Sequence, residues 1–245
     1  SHSGSIDDVG LYNAGFAIII TYVGLVFTAM ATDYYPRLSA ISHDNLGCKK
    51  TINQQAEIAL LILAPIITVF LVFIDWGIIL LYSVEFISIN EMMYWAALGM
   101  FFKAASWAIA FVFLAKGASK LFFWSELIVN IYILIFNLIG YHYLGLTGLG
   151  ISFLFGYLFY FIQVYSIAKK KYEFSFERAF VKIFVLQFAL SLCCFLTVKF
   201  IDRPYAYFIG AILIVISGCY SYKELDKRLG LKQVLLKIKE KLKLK

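Results

Sequence analysis

A single lysine stands in the middle of a long apolar stretch. Lys103 lies between Gly99 and Trp107, and it is the one charged residue of segment 92–115. A lysine at the centre of a membrane-spanning helix costs about 2.5–3.5 kcal/mol, so its ammonium group should face a protein interior or a watery cavity. Two kinds of chemistry are open to it: an ion pair with a neighbouring helix, or contact with an anion in a cavity.

Two carboxylates, Asp75 and Glu126, are the candidates for such an ion pair. At a rise of about 1.5 Å per residue, Lys103 lies roughly 18 Å from either end of its apolar stretch. By the same rise, Glu126 lies roughly 8 Å from one membrane face and Asp75 roughly 10 Å from the other. The vertical gap to Lys103 is about 8–10 Å in each case, which is long for a direct pair.

A second set of polar residues recurs at helical spacing. Glu126, Asn130 and Asn137 lie at positions i, i+4 and i+11, within about 40° on one helical face. Such a stripe either forms hydrogen bonds between helices or lines a hydrophilic pathway through a membrane bundle.

The elements that hold these residues are membrane helices. Of the 245 residues, 62% are hydrophobic and only 15% are charged, which leaves too few polar side chains to cover a water-soluble globular protein. The apolar residues form long blocks of the length that a helix needs to cross a bilayer, and do not alternate as in barrel strands. We therefore predict an all-α, polytopic membrane helix bundle.

Turn and charge signals divide the chain into seven predicted spans. They are 11–34, 56–82, 91–115, 121–144, 148–168, 179–200 and 205–222. The predicted organisation is an outside segment (1–10), a transmembrane lobe (11–222) and a basic cytoplasmic tail (223–245). In the tail, Leu231, Leu235, Ile238 and Leu242 share one helical face, which suits a helix on an anionic lipid surface; a solvated, disordered tail is the alternative.

The distribution of basic residues predicts the orientation. All but four of the 22 Lys and Arg residues fall in the tail or in loops on one side of the bundle, the exceptions being Lys103, Lys182, Lys199 and Arg203. By the positive-inside rule that side is cytoplasmic, so residue 1 is outside and the C-terminus is inside. Because residues 1–8 lack the features of a signal peptide, we expect further membrane protein upstream.

Other features predict local structure. Pro65 should bend the second span, as a fixed bend or as a gating hinge. Asp75 and Trp76 suit an anchor at the membrane interface. Pro36, between Asp33 and Arg37, suits a helix stop at the inner end of the first span.

Several classes of function lack sequence support. The net charge of +7 is explained by its placement on one membrane face, so no nucleic-acid partner is predicted. The four cysteines and three histidines show no metal-ligand or disulfide spacing. Because no hydrolase triad, phosphate-binding glycine loop or catalytic carboxylate pair is present either, we predict no catalytic residue, no metal, no cofactor and no enzymatic activity.

Several short motifs resemble a known family when taken in order. They are Val9-Gly10-Leu11-Tyr12-Asn13-Ala14-Gly15, Tyr35-Pro36-Arg37-Leu38-Ser39, Leu114-Ala115-Lys116-Gly117 and Gly145-Leu146-Thr147-Gly148-Leu149-Gly150. Their order and spacing across residues 9–168 resemble the second lobe of bacterial O-antigen and polysaccharide flippases. These belong to the multidrug/oligosaccharidyl-lipid/polysaccharide exporter superfamily.

The resemblance implies a parent of fourteen spans in the bacterial inner membrane, of which this chain is the C-terminal half without the N-terminal lobe. It also implies a lipid-linked oligosaccharide as substrate, moved between leaflets by alternating access to a cavity between two lobes. The substrate-binding residues would then be Lys103, Trp107, Glu126, Asn130 and Asn137, with Lys103 contacting pyrophosphate or a sugar acid. The alternatives are a multidrug exporter of the same superfamily and a non-transporting subunit or polymerase of envelope polysaccharide synthesis.

Overall fold

The computed structural model describes residues 6–19, 21 and 24–230. In this part the chain is helical apart from short connections. Its helices are α1 (Ile6–Ile18), α2 (Gly24–Ala40), α3 (Asn45–Leu81), α4 (Asn90–Ala115), α5 (Ser119–Tyr172), α6 (Arg178–Phe200) and α7 (Arg203–Leu229). A short 3-10 helix, Val84–Ile89, leads directly into α4. Helices α3 to α7 are long and apolar enough to cross a membrane, and the predicted all-α class is confirmed.

Helix α5 is a hairpin rather than one straight rod. Its backbone reverses at Gly145, with φ 58° and ψ −138°, a conformation that side-chain-bearing residues rarely adopt. The Ser152 hydroxyl donates to the Phe136 carbonyl (2.6 Å) and Gln163 Nε2 donates to the Ser125 carbonyl (3.2 Å). These partners could not meet along a straight helix. Residues 119–144 form the first arm and residues 146–172 the second arm, in agreement with two predicted spans.

Helices α1 and α2 run side by side with α4. At the start of α4, Met92 packs against Gly15 of α1, where an added Cβ would lie 2.5 Å from the methionine Cε. Further along α4, Trp107 lies against Phe27 of α2 (5.3 Å between centroids), and the Tyr34 hydroxyl donates to the Ala108 carbonyl (2.6 Å). These contacts extend over about 24 Å of α4 at 1.5 Å per residue. Helices α1 and α2 therefore lie one after the other along the same neighbour, α4.

Helices α3 and α4 form the centre of the bundle, and most of their side chains are buried. Helices α6 and α7 pack on α3 and are joined to each other by a buried polar network. Gln187 Nε2 donates to the Ser221 hydroxyl (2.7 Å), and the Ser217 hydroxyl donates to Gln187 Oε1 (2.7 Å). Such bonds are favourable inside an apolar bundle because the polar groups have no water to bind.

Ion pairs tie α3 to α7 near both ends. At one end, Arg228 Nε donates to the buried carboxylate of Glu57 (2.7 Å). At the other, Arg203 pairs with the buried Asp75, which also accepts a hydrogen bond from Asn90. Asp75 is thus more than the interfacial anchor expected from sequence. Helix α7 runs seven residues past its predicted span, to Leu229, and hydrogen bonds from Lys227 and Arg228 lower the pKa of Glu224 there.

The connections between helices group at two ends of the bundle. At one end Lys116 Nζ donates to the Ser42 carbonyl (2.5 Å), and Asn53 joins α3 to Ser175 by a hydrogen bond of 3.1 Å. We call it the basic end because the loop lysines lie there. At the opposite end, the Tyr141 hydroxyl donates to Asp8 (2.8 Å) and Lys199 pairs with Glu91 (2.9 Å). This grouping agrees with the predicted alternation of spans, whereas the orientation in the membrane stays a prediction.

The structure differs from the sequence-based expectation at Pro36. The predicted helix stop at Pro36 is wrong, because α2 continues to Ala40. A proline removes one helical hydrogen bond, here at the exposed end of the helix, and an ion pair between Asp33 and Arg37 (3.1 Å) spans it. In α3, the non-helical backbone lies at Phe73 (φ −111°, ψ 18°), eight residues after Pro65.

Helix α3 also begins eleven residues before its predicted span. The Asp44 side chain accepts the Leu46 N–H (2.9 Å) and caps the helix, which then passes through a polar turn before it reaches the apolar region. Residues 41–44 are therefore all that connects α2 to α3. The amphipathic stripe predicted for the tail, from Leu231 to Leu242, lies outside the described residues.

Candidate functional site around Lys103

Lys103 lies halfway along α4, in a helix that is otherwise packed tightly on its neighbours. Its side chain is partly buried, and its Nζ lies over two aromatic rings of the second α5 arm. The distances to the ring centroids are 5.0 Å for Tyr157 and 5.7 Å for Phe153. A desolvated cation–π contact is worth about 2 kcal/mol, so the rings offset part of the cost of placing an ammonium group there.

Close packing of glycines brings those rings to Lys103. A Cβ added at Gly150 of the second arm would collide with the Met92 carbonyl of α4. A Cβ added at Gly99 would lie 2.7 Å from the Phe153 ring. The second arm can therefore approach the α4 backbone along a face of small residues, and this approach sets the distance from Lys103 to Tyr157.

Neither candidate carboxylate forms an ion pair with Lys103. Asp75 is taken by Arg203 and Asn90, and Glu126 accepts a hydrogen bond from the Tyr160 hydroxyl. Within the described part of the chain, aromatic rings are the partners recorded for the Lys103 ammonium group. Of the two possibilities left open by the sequence, the ion pair is not formed.

Glu126 lies on the first α5 arm and faces the second arm. It is half-buried and accepts a hydrogen bond from the Tyr160 hydroxyl. The Tyr157 ring, which contacts the Lys103 ammonium group, lies 6.4 Å from the ring of Tyr160, the partner of Glu126. We refer to Lys103, Phe153, Tyr157, Glu126 and Tyr160 as the Lys103 cluster.

The other three predicted site residues lie apart from this cluster. Trp107 packs in the interface between α4 and α2, with its ring 5.3 Å from that of Phe27. Asn130 is exposed on the outer face of the first arm, and its amide donates to the Glu126 carbonyl (2.7 Å). Asn137 lines a cavity nearer the opposite end. Helical spacing predicted a common stripe for Glu126, Asn130 and Asn137. In the structure the three side chains have different surroundings.

The cavity that contains Asn137 has a volume of about 300 Å³. It lies between α1 and the α5 hairpin, and its lining residues are Asp8, Val9, Tyr12, Asn137, Tyr141 and Leu149. Tyr12 is in ring contact with Phe16 (4.6 Å), and Phe16 with Phe153 of the Lys103 cluster (5.5 Å). A line of polar and aromatic side chains therefore runs from this cavity to Lys103.

Sequence reasoning missed the tyrosines, which supply two of the four polar side chains of the cluster. Tyr157 and Tyr160 are spaced i and i+3 within an apolar span, and Tyr132 lies on the other arm. No group within the described residues bonds the buried Tyr132 hydroxyl. The sequence did contain a signal for them. A tyrosine within a membrane span needs a hydrogen-bond partner for its hydroxyl, just as a lysine needs a partner for its ammonium group.

The arrangement can hold an anionic group but shows no catalytic geometry. A lysine ammonium has three N–H donors, and no hydrogen-bond acceptor is recorded for Lys103 among the described residues. The described residues contain no cluster of three or more metal-binding side chains. The cluster therefore suits recognition of a polar ligand by hydrogen bonds and charge.

Comparison with known proteins identifies the fold. No family model matches the chain, and no curated protein matches it in sequence. Among solved structures, the chain is similar to the lipid II flippase MurJ in its inward closed conformation, with a TM-score of 0.68 and 16% identity over 91% of this chain. The match covers 48% of the MurJ chain, so this chain spans about half the length of the structure that it matches. It thus has the fold of a polytopic membrane helix bundle, shared with about half of a flippase.

Proposed function

We propose that this chain is the second lobe of a flippase in the bacterial inner membrane. The whole protein would move lipid-linked oligosaccharide between leaflets for O-antigen or surface polysaccharide assembly, by alternating access to a cavity between this lobe and an N-terminal lobe. The likeness to a flippase fold supports transport as the general activity. The oligosaccharide as cargo is supported by the motif resemblance of residues 9–168 and by the chemistry of the Lys103 cluster.

The unpaired ammonium group of Lys103 is the observation that carries the proposal. An ammonium group at the middle of a membrane bundle is costly, and no carboxylate among the described residues pairs with Lys103 to offset that cost. A phosphate group of the cargo is a strong partner for such a cation, because charge-assisted hydrogen bonds are about twice as strong as neutral ones. Lys103 would bind the pyrophosphate or a sugar acid while the cargo crosses.

The remaining polar residues would form the wall of the pathway. Glu126 and the unbonded Tyr132 hydroxyl offer an acceptor and a donor to sugar hydroxyls. The cavity at Asn137 continues this polar surface toward the opposite end of the bundle. Trp107 and Asn130 would bind cargo only where the second lobe meets the first, since both lie outside the Lys103 cluster.

The test is glycan export by the full-length protein that contains this chain. In cells that lack their own copy, Lys103→Gln should reduce surface glycan about 10- to 100-fold at normal expression, the loss expected for one charge-assisted hydrogen bond. Lys103→Arg keeps the charge and should retain more export than Lys103→Gln. Lys182→Gln is the matched control, because Lys182 also lies within a predicted span but is exposed on α6.

Two outcomes would contradict this proposal, one for the role of Lys103 and one for the class of cargo. Equal export in Lys103→Gln and the parent would overturn the assigned role of Lys103. If the full-length protein restores no surface glycan but its loss sensitises cells to cationic drugs, the multidrug alternative replaces the oligosaccharide.

A further inference from the structure

A separate polar cavity lies at the basic end of the bundle, between three connections that are far apart in sequence. Its volume is about 350 Å³, and it is lined by Ser42, His43, Lys116, Ala118, Lys171 and Tyr172. Two of these residues are lysines, and none is a carboxylate. The cavity shares no residue with the Lys103 cluster, so it stands apart from the proposed transport pathway.

Lys116 is held in a fixed position in this cavity. Its Nζ donates to the Ser42 carbonyl (2.5 Å) and to Asn45 Oδ1 (2.7 Å), and it lies 5.2 Å from the centre of the Tyr172 ring. These acceptors use two of its three N–H donors. One donor of an immobilised cation is therefore left for a ligand.

A second ammonium group shares the same ring. Lys171 Nζ lies 5.8 Å from the Tyr172 ring centre, and within the described residues it has no acidic partner. Tyr172 itself is fixed by its contact with the buried Phe113. Two like charges on one ring repel each other, and an anion placed between them removes that repulsion.

The backbone around the cavity makes two sharp turns and adds to the positive potential. The turn at Gly117 (φ 69°) and the end of the second arm at Glu173 (φ 56°) both adopt left-handed conformations that fix the chain direction. Helix α5 begins beside Ala118 without a capping side chain, so its first N–H groups add partial positive charge. The nearby carboxylate of Asp44 is turned to the Leu46 N–H and does not line the cavity.

We propose that this cavity binds a phosphate group, held between Lys116 and Lys171. The phosphate belongs either to a lipid headgroup at that membrane face or to a free phosphate in solution, since the same donors suit both. A bound phosphate would join the α2–α3 connection, the α4–α5 connection and the end of the second arm.

The experiment measures thermal unfolding of the purified full-length protein in detergent. One arm titrates inorganic phosphate, and the other titrates short-chain phosphatidylglycerol against phosphatidylcholine at equal concentration. A saturable rise of the unfolding temperature with inorganic phosphate identifies a free-phosphate site. A saturable rise with phosphatidylglycerol alone identifies a headgroup site.

Two neighbouring lysines supply the matched variants. Lys171→Gln should weaken binding roughly tenfold, the effect of one lost charge-assisted hydrogen bond, and it removes no hydrogen bond that the structure records. Lys170→Gln removes the same charge from a residue outside the cavity lining and should leave binding within about twofold. Equal weakening by both variants, or no saturable shift with either probe, would overturn the site.

Discussion

At the scale of single residues, the bundle treats its buried charges in two different ways. Asp75 and Glu57 are buried and each has an arginine partner, which is the usual arrangement for a charge that lacks water. Lys103 has rings in place of a carboxylate. A cation that is stabilised only partly by its own protein keeps the capacity to bind an anionic ligand, and this contrast distinguishes Lys103 from the structural charges.

The hydrogen bond between Tyr160 and Glu126 should contribute to stability. Tyr160→Phe removes the donor and leaves the half-buried carboxylate without it, so we expect a loss of about 1–3 kcal/mol in the free energy of unfolding. Thermal or chemical unfolding of the purified full-length protein measures this.

The control for Tyr160→Phe is Tyr143→Phe, because Tyr143 is 76% exposed and should tolerate the change. In a Glu126→Leu background, Tyr160→Phe should cost much less than in the parent, since the partner is already gone. The same cost in both backgrounds would show that the hydrogen bond contributes nothing.

At the scale of elements, the α5 hairpin is the part that the sequence predicted best. The glycines of 145–150 indicated a turn between two apolar runs, and the structure reverses at Gly145. The sequence predicted a single span over 11–34, whereas the structure has two helices there, α1 and α2, because an apolar block shows a length but not a division within it. Pro36 was misread for a related reason: a proline near an exposed helix end is tolerated when the carbonyl it frees can reach water.

The closeness of the two hairpin arms is a testable property. A Cβ at Gly148 would overlap the Gly140 carbonyl, so Gly148→Val should push the arms apart and destabilise the protein by about 1–3 kcal/mol or more. The unfolding temperature of the purified full-length protein is the measurement.

Gly218→Val is the matched control, because no atom lies within 4 Å of a Cβ added at Gly218 in α7. It should shift the unfolding temperature far less than Gly148→Val. A larger effect at Gly218 would contradict the close contact between the arms.

At the scale of the whole molecule, composition was sufficient to predict the class, a helical membrane bundle, but not the site. Lys103 and Tyr157 are 54 residues apart, and their contact depends on how closely the second arm approaches α4. Periodicity along one helix shows on which face a residue lies, but it does not show which residue of a neighbouring helix packs against it. For this reason Lys103 was identified from sequence, whereas the tyrosines around it were not.

The predicted orientation of the bundle can be measured in intact cells. In a full-length variant without its native cysteines, a membrane-impermeant maleimide added outside should label Tyr143→Cys but not Lys120→Cys. Lys120 is at the basic end, which the positive-inside rule places in the cytoplasm. Opening the cells should make Lys120→Cys reactive. Labelling of Lys120→Cys in intact cells would reverse the orientation.

The two ion pairs between α3 and α7 have a mechanical consequence. Glu57 and Asp75 are eighteen residues apart on α3, about 27 Å along its axis. A single ion pair would allow α7 to rotate about its contact with α3. Two ion pairs at this distance prevent both rotation and sliding unless one of them is broken. Breaking the more buried pair, Arg228 with Glu57, costs about 3–5 kcal/mol, so α7 should stay fixed on α3. In the proposed transport cycle, movement within this half would then come from α4, the α5 hairpin and helices α1 and α2.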